Sequence, residues 1–375
     1  MGTIRFLLAL AVVIVHSSPL FGIELVPGYL AVQSFYIISG FLMAFVYNEK
    51  YIYSTRPNYL FLSNRFLKLY PLYFLVVLLV ALLSITFGLT LGDWGKFRFY
   101  YELYTQSPQS IVALVTVFLS NLTLIGQDIV TFFSINKSDG NFHFLGLQEN
   151  IQLQELLFIP IAWTVAVELI FYFLSPLVLA KRIKTVVASI ILILGIRLLL
   201  FEFAGANKGF TIYRFAPTEF FWFLLGVLSY KLVKQNRLPG ASNGAILLLF
   251  VISLLFSYRY LPSGINDILV FSSIFAFSPA IFYRFSKNKV DKFLGDLCYP
   301  MYLGHALLSI IVNVNSFPKP FGTGLPLVLL TILFSIAVNK YFLQPFEKYR
   351  QGRLRAPKTK INQEEIKQKP APTFA

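Results

Sequence analysis

Residues 4–20 read IRFLLALAVVIVHSSPL, an apolar run from Ile4 to Val15 whose only charge is Arg5 and which ends on an imidazole, His16. A run of this kind belongs in hydrocarbon. A titratable group within it is costly enough that function, rather than packing, is the default reading. Arg5 and His16 stand about three helical turns apart, on one helix face and about 16 Å from each other. That face therefore carries a cation near one membrane surface and an imidazole near the other. The bland alternative for His16 is a neutral ring satisfied by a backbone carbonyl.

The rest of the chain resembles this stretch. Hydrophobic residues make up 57% and charged residues 13% of the sequence, and mean hydropathy is +0.68, which excludes an ordinary soluble domain. Apolar runs of spanning length fall at 3–20, 28–48, 67–88, 159–180, 185–203, 217–235, 243–260, 266–284, 296–314 and 325–345. The expected fold is all-α, a polytopic integral membrane bundle of about ten transmembrane helices. The first run lacks a small-residue cleavage site, so it is expected to remain as a span rather than be removed as a leader. The single cysteine, Cys298, leaves no internal disulfide.

A further run, 111–126, is shorter, and loop charge decides its place. If it does not cross, the basic loops around Lys50–Lys68, Lys181–Lys184, Lys231–Arg237 and Arg284–Lys292 share one face with the tail. If it crosses, they are split between the two faces. The reading is therefore both termini cytoplasmic, with an outer segment of about 89–158 that holds a re-entrant or interfacial piece. The expected domains are a transmembrane unit, 1–346, and a basic, disordered cytoplasmic tail, 347–375. A net charge of +15 then needs no nucleic acid, because basic loops facing anionic lipid account for it. The expected location is the cell inner or plasma membrane.

Beyond His16, residues fit for chemistry cluster in four places: GYLAVQSFYIISGFLMA (28–44), NRFLKLYPLY (64–73), WTVAVELIFYFLSP (163–176) and GDLCYPMYLGH (295–305). With the Arg5–His16 spacing, and in this order, they resemble the membrane-bound acyltransferase type 3 family, whose members O-acylate surface glycans and lipids. The resemblance covers essentially the whole chain. It implies transfer of an acyl group, acetyl as the leading choice, from cytoplasmic acyl-CoA to a hydroxyl of an exported or lipid-linked surface polysaccharide. Acyl-CoA is then a co-substrate, and no cofactor is permanently bound. The family histidine falls on His16 and its partner arginine on Arg5. Arg65 and Lys68, placed at the start of a span, would hold the donor's phosphates. Lys68 keeps the charge but lacks the bidentate fork of the arginine usual there. Topology cations are the plain alternative for both.

As a base, His16 would take the proton of a sugar hydroxyl as that oxygen attacks a thioester, then pass it to the thiolate; an acyl-histidine is equally open. Glu168, with Thr164 and Tyr172 one turn away, is expected to share an outer half-cavity with His16 and to orient its ring. The plain alternative is an ion pair to Arg197 or Arg214. Pro19 stands where many relatives carry an acid, which shifts weight onto Glu168. Pro71 is expected in the first turns of its span, fixing the entry. Gln33, Ser39, Trp163, Tyr172, Arg214 and His305 are further cavity candidates. Trp163 otherwise reads as an interfacial anchor, His305 as a helix–helix hydrogen bond, and Arg214 with Glu219 as a rim ion pair. Outer residues Trp94, Tyr100, Tyr101, Tyr104, Asp128, Asp139 and Asn141 suit sugar contacts; His143 reads as solvated. No metal-ligand set is visible. The rival class is a transporter or flippase in which His16 and Glu168 relay protons.

Overall fold

Backbone in hydrocarbon has no water to bond with, so apolar runs close their hydrogen bonds internally as helices. The structure, a computed structural model, describes residues 1–106, 110–136, 142–144, 150–203, 208–313 and 322–354. Its helices are α1 (Gly2–Val15), α2 (Gly28–Glu49), α3 (Pro57–Leu91), α4 (Gly95–Gln106), α5 (Ile111–Thr123), α6 (Gln127–Val130), α7 (Trp163–Leu174) and α8 (Pro176–Leu179). They continue as α9 (Ile183–Phe203), α10 (Lys208–Arg214), α11 (Ala216–Val233), α12 (Gly244–Ser257), α13 (Ile265–Phe285), α14 (Lys289–Val312), α15 (Gly324–Val338) and α16 (Gln344–Leu354).

Among the described residues, seven helical stretches are long and apolar enough to cross a membrane. The expected spans 3–20, 159–180 and 217–235 correspond to the shorter α1, to α7 with α8, and to α11. The chain is an all-α, multi-pass membrane bundle. One small exception lies within residues 89–158, where β1 (Phe133–Asn136) sits between antiparallel β2 (Phe142–Phe144) and β3 (Asn150–Gln152).

Three boundaries differ from expectation. α1 stops at Val15 rather than near residue 20, because Pro19 disfavours helix in the residue before it, and Ser17 bonds back to the Val13 and Ile14 carbonyls. α3 starts at Pro57, where a missing N–H costs nothing, rather than at 67. Arg65 and Lys68 therefore lie inside a helix, not at its start, and Pro71 is a mid-helix residue. Residues 347–354 of the expected tail are helical in α16, which docks on α3 as Arg353 bonds Asn64 and Ser63 at 2.8 Å each. A π turn, Asn339–Leu343, joins α15 to α16. Residues 355–375 lie outside the described residues.

The helix of the doubtful run, α5, is 13 residues long, about 20 Å, too short to cross. Its C-terminal end meets α3 near the middle: Tyr73 donates to the Asn121 carbonyl at 2.6 Å and Tyr70 to that of Leu122. Asn121 fixes the turn, its amide reaching Tyr100 Oη (3.0 Å) and the Leu156 carbonyl (3.1 Å) while its oxygen accepts from Phe158 N (2.8 Å). Asn121→Ala leaves the Phe158 N–H without its acceptor, while the Leu156 carbonyl keeps its bond from Tyr100, and a local cost of about 1–3 kcal/mol is expected. Amide exchange across 111–136 and 150–158 should accelerate while exchange in α11 stays unchanged.

The core is built around α2, which packs on α11 through facing glycines. A Cβ on Gly40 would fall on the Phe223 carbonyl, and one on Gly226 on that of Ile37. Tyr36 stacks on Phe223 at 4.3 Å beside this contact. α1 lies between α2 and α14. Asp291 at the start of α14 accepts from Gly2 N and Thr3 N at 2.9 Å each. The starts of α1, α14 and α3 thus share one end of the bundle with α16.

Candidate active site

Of the residues singled out from sequence, Arg5, Ser39, Arg65, Lys68, Glu168 and Tyr172 line one cavity of about 70 Å³. Side chains separated by up to 167 positions meet because α1, α2, α3 and α7 converge here. Tyr172 donates to Glu168 Oε1 at 2.5 Å, as their one-turn spacing requires. The Arg65 guanidinium stands 5.7 Å from the Tyr172 ring and 5.3 Å from Phe61, and its buried Nε has no hydrogen-bond partner among the described residues.

At its basic end this cavity shares Arg5, Lys68 and Tyr299 with a second space of about 330 Å³. There Lys292, Lys348 and Arg350 add three cations against the carboxylates of Asp296 and Glu347. Arg350 pairs with Glu347 at 3.0 Å, and its Nε is buried without a hydrogen-bond partner among the described residues. Cations half-removed from water with unused donors favour an anion with several acceptor oxygens, such as a phosphate. Lys292 and Arg350 were missed in the sequence, where one read as a loop cation and the other as part of the tail. The signal for Arg350 was there: FEKYR continues the last apolar span as a helix.

At the cavity's other end, Tyr302 bonds Thr164 Oγ1 at 2.7 Å, and its ring stands 6.1 Å from that of His305. The His305 ring in turn lies 5.1 Å from that of His16. The expected pairing of His16 with Glu168 is not the one formed. Glu168 faces the basic cavity, and the neighbour of His16 is His305, because α1 runs along α14 and the short α1 ends beside that helix's middle. Tyr299, Tyr302 and His305 recur every third residue of GDLCYPMYLGH, so their shared face was legible as a stripe.

His16 caps α1 and is exposed, with Nδ1 2.8 Å from the Val12 carbonyl. A carbonyl only accepts, so Nδ1 carries the proton and Nε2 keeps its lone pair. The backbone contact of the bland reading exists, yet it leaves the basic nitrogen free.

The other candidates lie apart. Glu219 is fully buried and pairs with Arg197 at 3.4 Å and Gln33 at 3.0 Å, so it forms no rim pair with Arg214. Gln33 and Arg197 line a separate cavity of about 560 Å³ with Tyr29 and Tyr213. Trp163 is buried rather than interfacial, with the Arg214 guanidinium 5.2 Å from its ring, and Arg214 also bonds Gln154 at 3.1 Å. His305 forms no helix–helix hydrogen bond among the described residues; its Nδ1 lies 3.1 Å from the Met301 carbonyl of its own helix. In the outer segment Asp128 is buried, Tyr100 is held at the Leu156 carbonyl, and Tyr101, Tyr104 and His143 are exposed. A Cβ on Gly88 would meet the Trp94 ring, so Trp94 packs on α3. Asp139 and Asn141 lie outside the described residues.

A family model described as an acyltransferase domain matches residues 2–340. The chain is 24% identical over 356 residues to the O-acetyltransferase OatA of Staphylococcus aureus (strain NCTC 8325 / PS 47), across 86% of this chain and 53% of that protein. It is 41% identical over 78 residues to "Protein 2 in picA locus" of Rhizobium radiobacter, across 21% of this chain and 41% of that protein. The chain thus spans about half the length, or less, of these relatives. No solved structure matches it.

Proposed function

The chain belongs to the acyltransferase family whose model spans residues 2–340, and from that premise we propose that it moves an acyl group, acetyl as the leading choice, from cytoplasmic acyl-CoA to a hydroxyl of an exported or lipid-linked surface polysaccharide. One observation carries this reading: a cation-lined space shares Arg5, Lys68 and Tyr299 with a cavity lined by Glu168, Tyr172 and Tyr302, and the Tyr302 ring stands 6.1 Å from that of His305, which lies 5.1 Å from that of His16.

The phosphates of the donor would lie among Arg5, Lys68, Lys292 and Arg350. Its pantetheine arm would run past Ser39, Glu168 and Tyr172, whose carboxylate and hydroxyl suit the amide groups of that arm. The thioester would then reach Tyr302. An acceptor hydroxyl arriving from the opposite face meets the exposed His16. Its oxygen attacks the thioester carbonyl as its proton passes to His16 Nε2; the C–O bond forms, the C–S bond breaks, and the proton goes on to the thiolate. Base catalysis of this kind contributes about 10²–10⁴-fold. The relative OatA, by its name an O-acetyltransferase, supports acetyl as the group transferred.

The test is transfer of radiolabelled acetyl from acetyl-CoA to purified polysaccharide by the full chain in lipid vesicles. Label should become base-labile ester on the glycan only when donor is supplied on the side of the Arg5–Arg350 mouth. No transfer from acyl-CoA on either side sinks the reading. Arg350→Ala, which removes a charged hydrogen-bond donor worth about 1.5–3 kcal/mol, should raise the KM for acetyl-CoA at least tenfold and leave kcat within about twofold; steady-state kinetics at fixed salt check this.

A further inference from the structure

The cavity of about 560 Å³ lined by Tyr29, Gln33, Arg197 and Tyr213 is a polar space that the reaction above leaves unused. It lies at the His16 end of the bundle. α1 starts at the Arg5 mouth and finishes at His16, and α2 begins beside that finish, since a Cβ on Gly28 would stand 3.7 Å from Val15 Cγ1. Tyr29 is the next residue, and Gln33 follows one turn further in. The volume falls in the range of about 300–1,000 Å³ that suits small-molecule ligands.

Its polar groups are half used. Among the described residues Arg197 makes both of its hydrogen bonds through Nη1, to the Thr218 carbonyl at 2.8 Å and to Glu219 Oε1 at 3.4 Å, which leaves Nε and Nη2 as spare donors. The same carboxylate orients Gln33. An ionised carboxylate only accepts, so Gln33 Nε2 donates to Glu219 Oε1 at 3.0 Å and the Gln33 oxygen is a spare acceptor. Tyr29 and Tyr213, edge to face at 6.5 Å, form an aromatic wall with Phe201. Glu219 balances the charge of Arg197, so the cavity calls for no anion. A donor and an acceptor between aromatic faces match a sugar ring, whose hydroxyls both donate and accept and whose C–H face packs on an aromatic. A lipid tail would strand the polar atoms of Arg197 and Gln33.

We infer that this cavity is an acceptor subsite: Arg197 and Gln33 bond the hydroxyls of an uncharged sugar ring of the polysaccharide, Tyr29 and Tyr213 pack against it, and a hydroxyl elsewhere on the same glycan meets His16. The inference rests on the acyl-transfer reading above. Donor and acceptor are then held at opposite ends of the bundle. No bond forms or breaks in this cavity, so its contacts set how tightly the acceptor binds and leave the chemistry at the thioester alone.

The experiment fills the space. Gly209 lines the cavity and a Cβ there meets nothing, so Gly209→Trp occupies it without pushing on a neighbouring helix. Gly195→Trp, on the helix of Arg197 but outside the cavity lining and also facing open space, is the control. In the vesicle assay with the full chain, Gly209→Trp should raise the KM for polysaccharide about tenfold or more, as loss of hydrogen bonds and a packed ring face requires. Its KM for acetyl-CoA and its melting temperature should equal those of Gly195→Trp. The ratio of variant to wild-type polysaccharide KM should not change with salt, because an uncharged ring is not screened; a ratio that shrinks as salt rises overturns the uncharged class. An unchanged polysaccharide KM overturns the inference, and a phospholipid then found by native mass spectrometry on wild type but not on Gly209→Trp identifies the occupant as lipid. A rise in both KM values, or a fall in kcat alone, also overturns it. If Gly209→Trp does not accumulate, Ile212→Trp on the same wall decides; if neither does, the cavity is structural and the inference is overturned. A wild-type chain without acetyl-CoA-dependent transfer fails the parent reading instead, whereas an active one whose variant keeps its polysaccharide KM fails this inference alone.

Discussion

Replacing His16 with alanine is expected to lower ester formation on the polysaccharide by about 10²–10⁴-fold, with no loss of protein from the membrane. The two halves of this result have separate causes. His16 lies past the last residue of α1 and is exposed, and beyond its ring contact with His305 its side chain bonds only to its own helix among the described residues, so its removal leaves the packing of the body of α1 on α14 intact. The activity has no such substitute. Glu168 is committed to the basic cavity, and His305 is pinned by Met301 and buried away from the face that an acceptor can reach. The measurement is the acyl-ester content of surface polysaccharide by mass spectrometry, in cells with equal amounts of wild-type or variant protein. Unchanged ester content removes His16 from the chemistry. Export that stops while esters persist favours a transporter, with His16 as part of a proton relay.

Gly226→Val should act in the opposite way, removing the folded protein and not merely its turnover. α2 and α11 meet backbone to backbone at Gly40 and Gly226, and a side chain at either position lands on a main-chain carbonyl of the partner helix. Carbonyls cannot rotate aside as flexible side chains do, so the helices must part. Their separation would loosen the Tyr36–Phe223–Phe171 stack and the Gln33–Glu219 bond together. Forced overpacking of this kind costs about 3 kcal/mol or more. The expected readout is a large fall in melting temperature in detergent, with aggregation on size-exclusion chromatography. Gly240→Val, where a Cβ meets open space, is the control and should melt as wild type does.

The membrane class was legible because the need to bury backbone polar groups leaves its mark locally, as runs of apolar residues of the right length. The boundaries were less so. Hydropathy starts α3 at the apolar residues near 67, but the helix begins at Pro57, because helix geometry tolerates polar residues that hydropathy does not count. Arg65 and Lys68 gained a different meaning from that shift, from surface anchors to groups on a cavity wall. The tail was misread for a related reason. FEKYRQGRL is polar in composition, yet it continues a helix that already exists and docks through Arg353 on Asn64, a contact between residues 289 positions apart.

The site divides in the same way. Sequence alone named Arg5, His16, Arg65, Lys68, Glu168 and Tyr172, since ionisable and hydroxyl groups in apolar runs are exceptional wherever the chain goes. It also set the one-turn pairing of Glu168 with Tyr172, which helix geometry fixes locally. Which groups meet across the bundle was decided by tertiary packing: Glu168 on the basic cavity, Arg350 folded back beside Lys68, His305 against His16. A membrane face states that a charge must be turned inward, because lipid will not solvate it. It does not state which neighbour it will find there, because that depends on how closely helices can approach, and here contacts such as Gly40 on Phe223 and Gly226 on Ile37 set the approach.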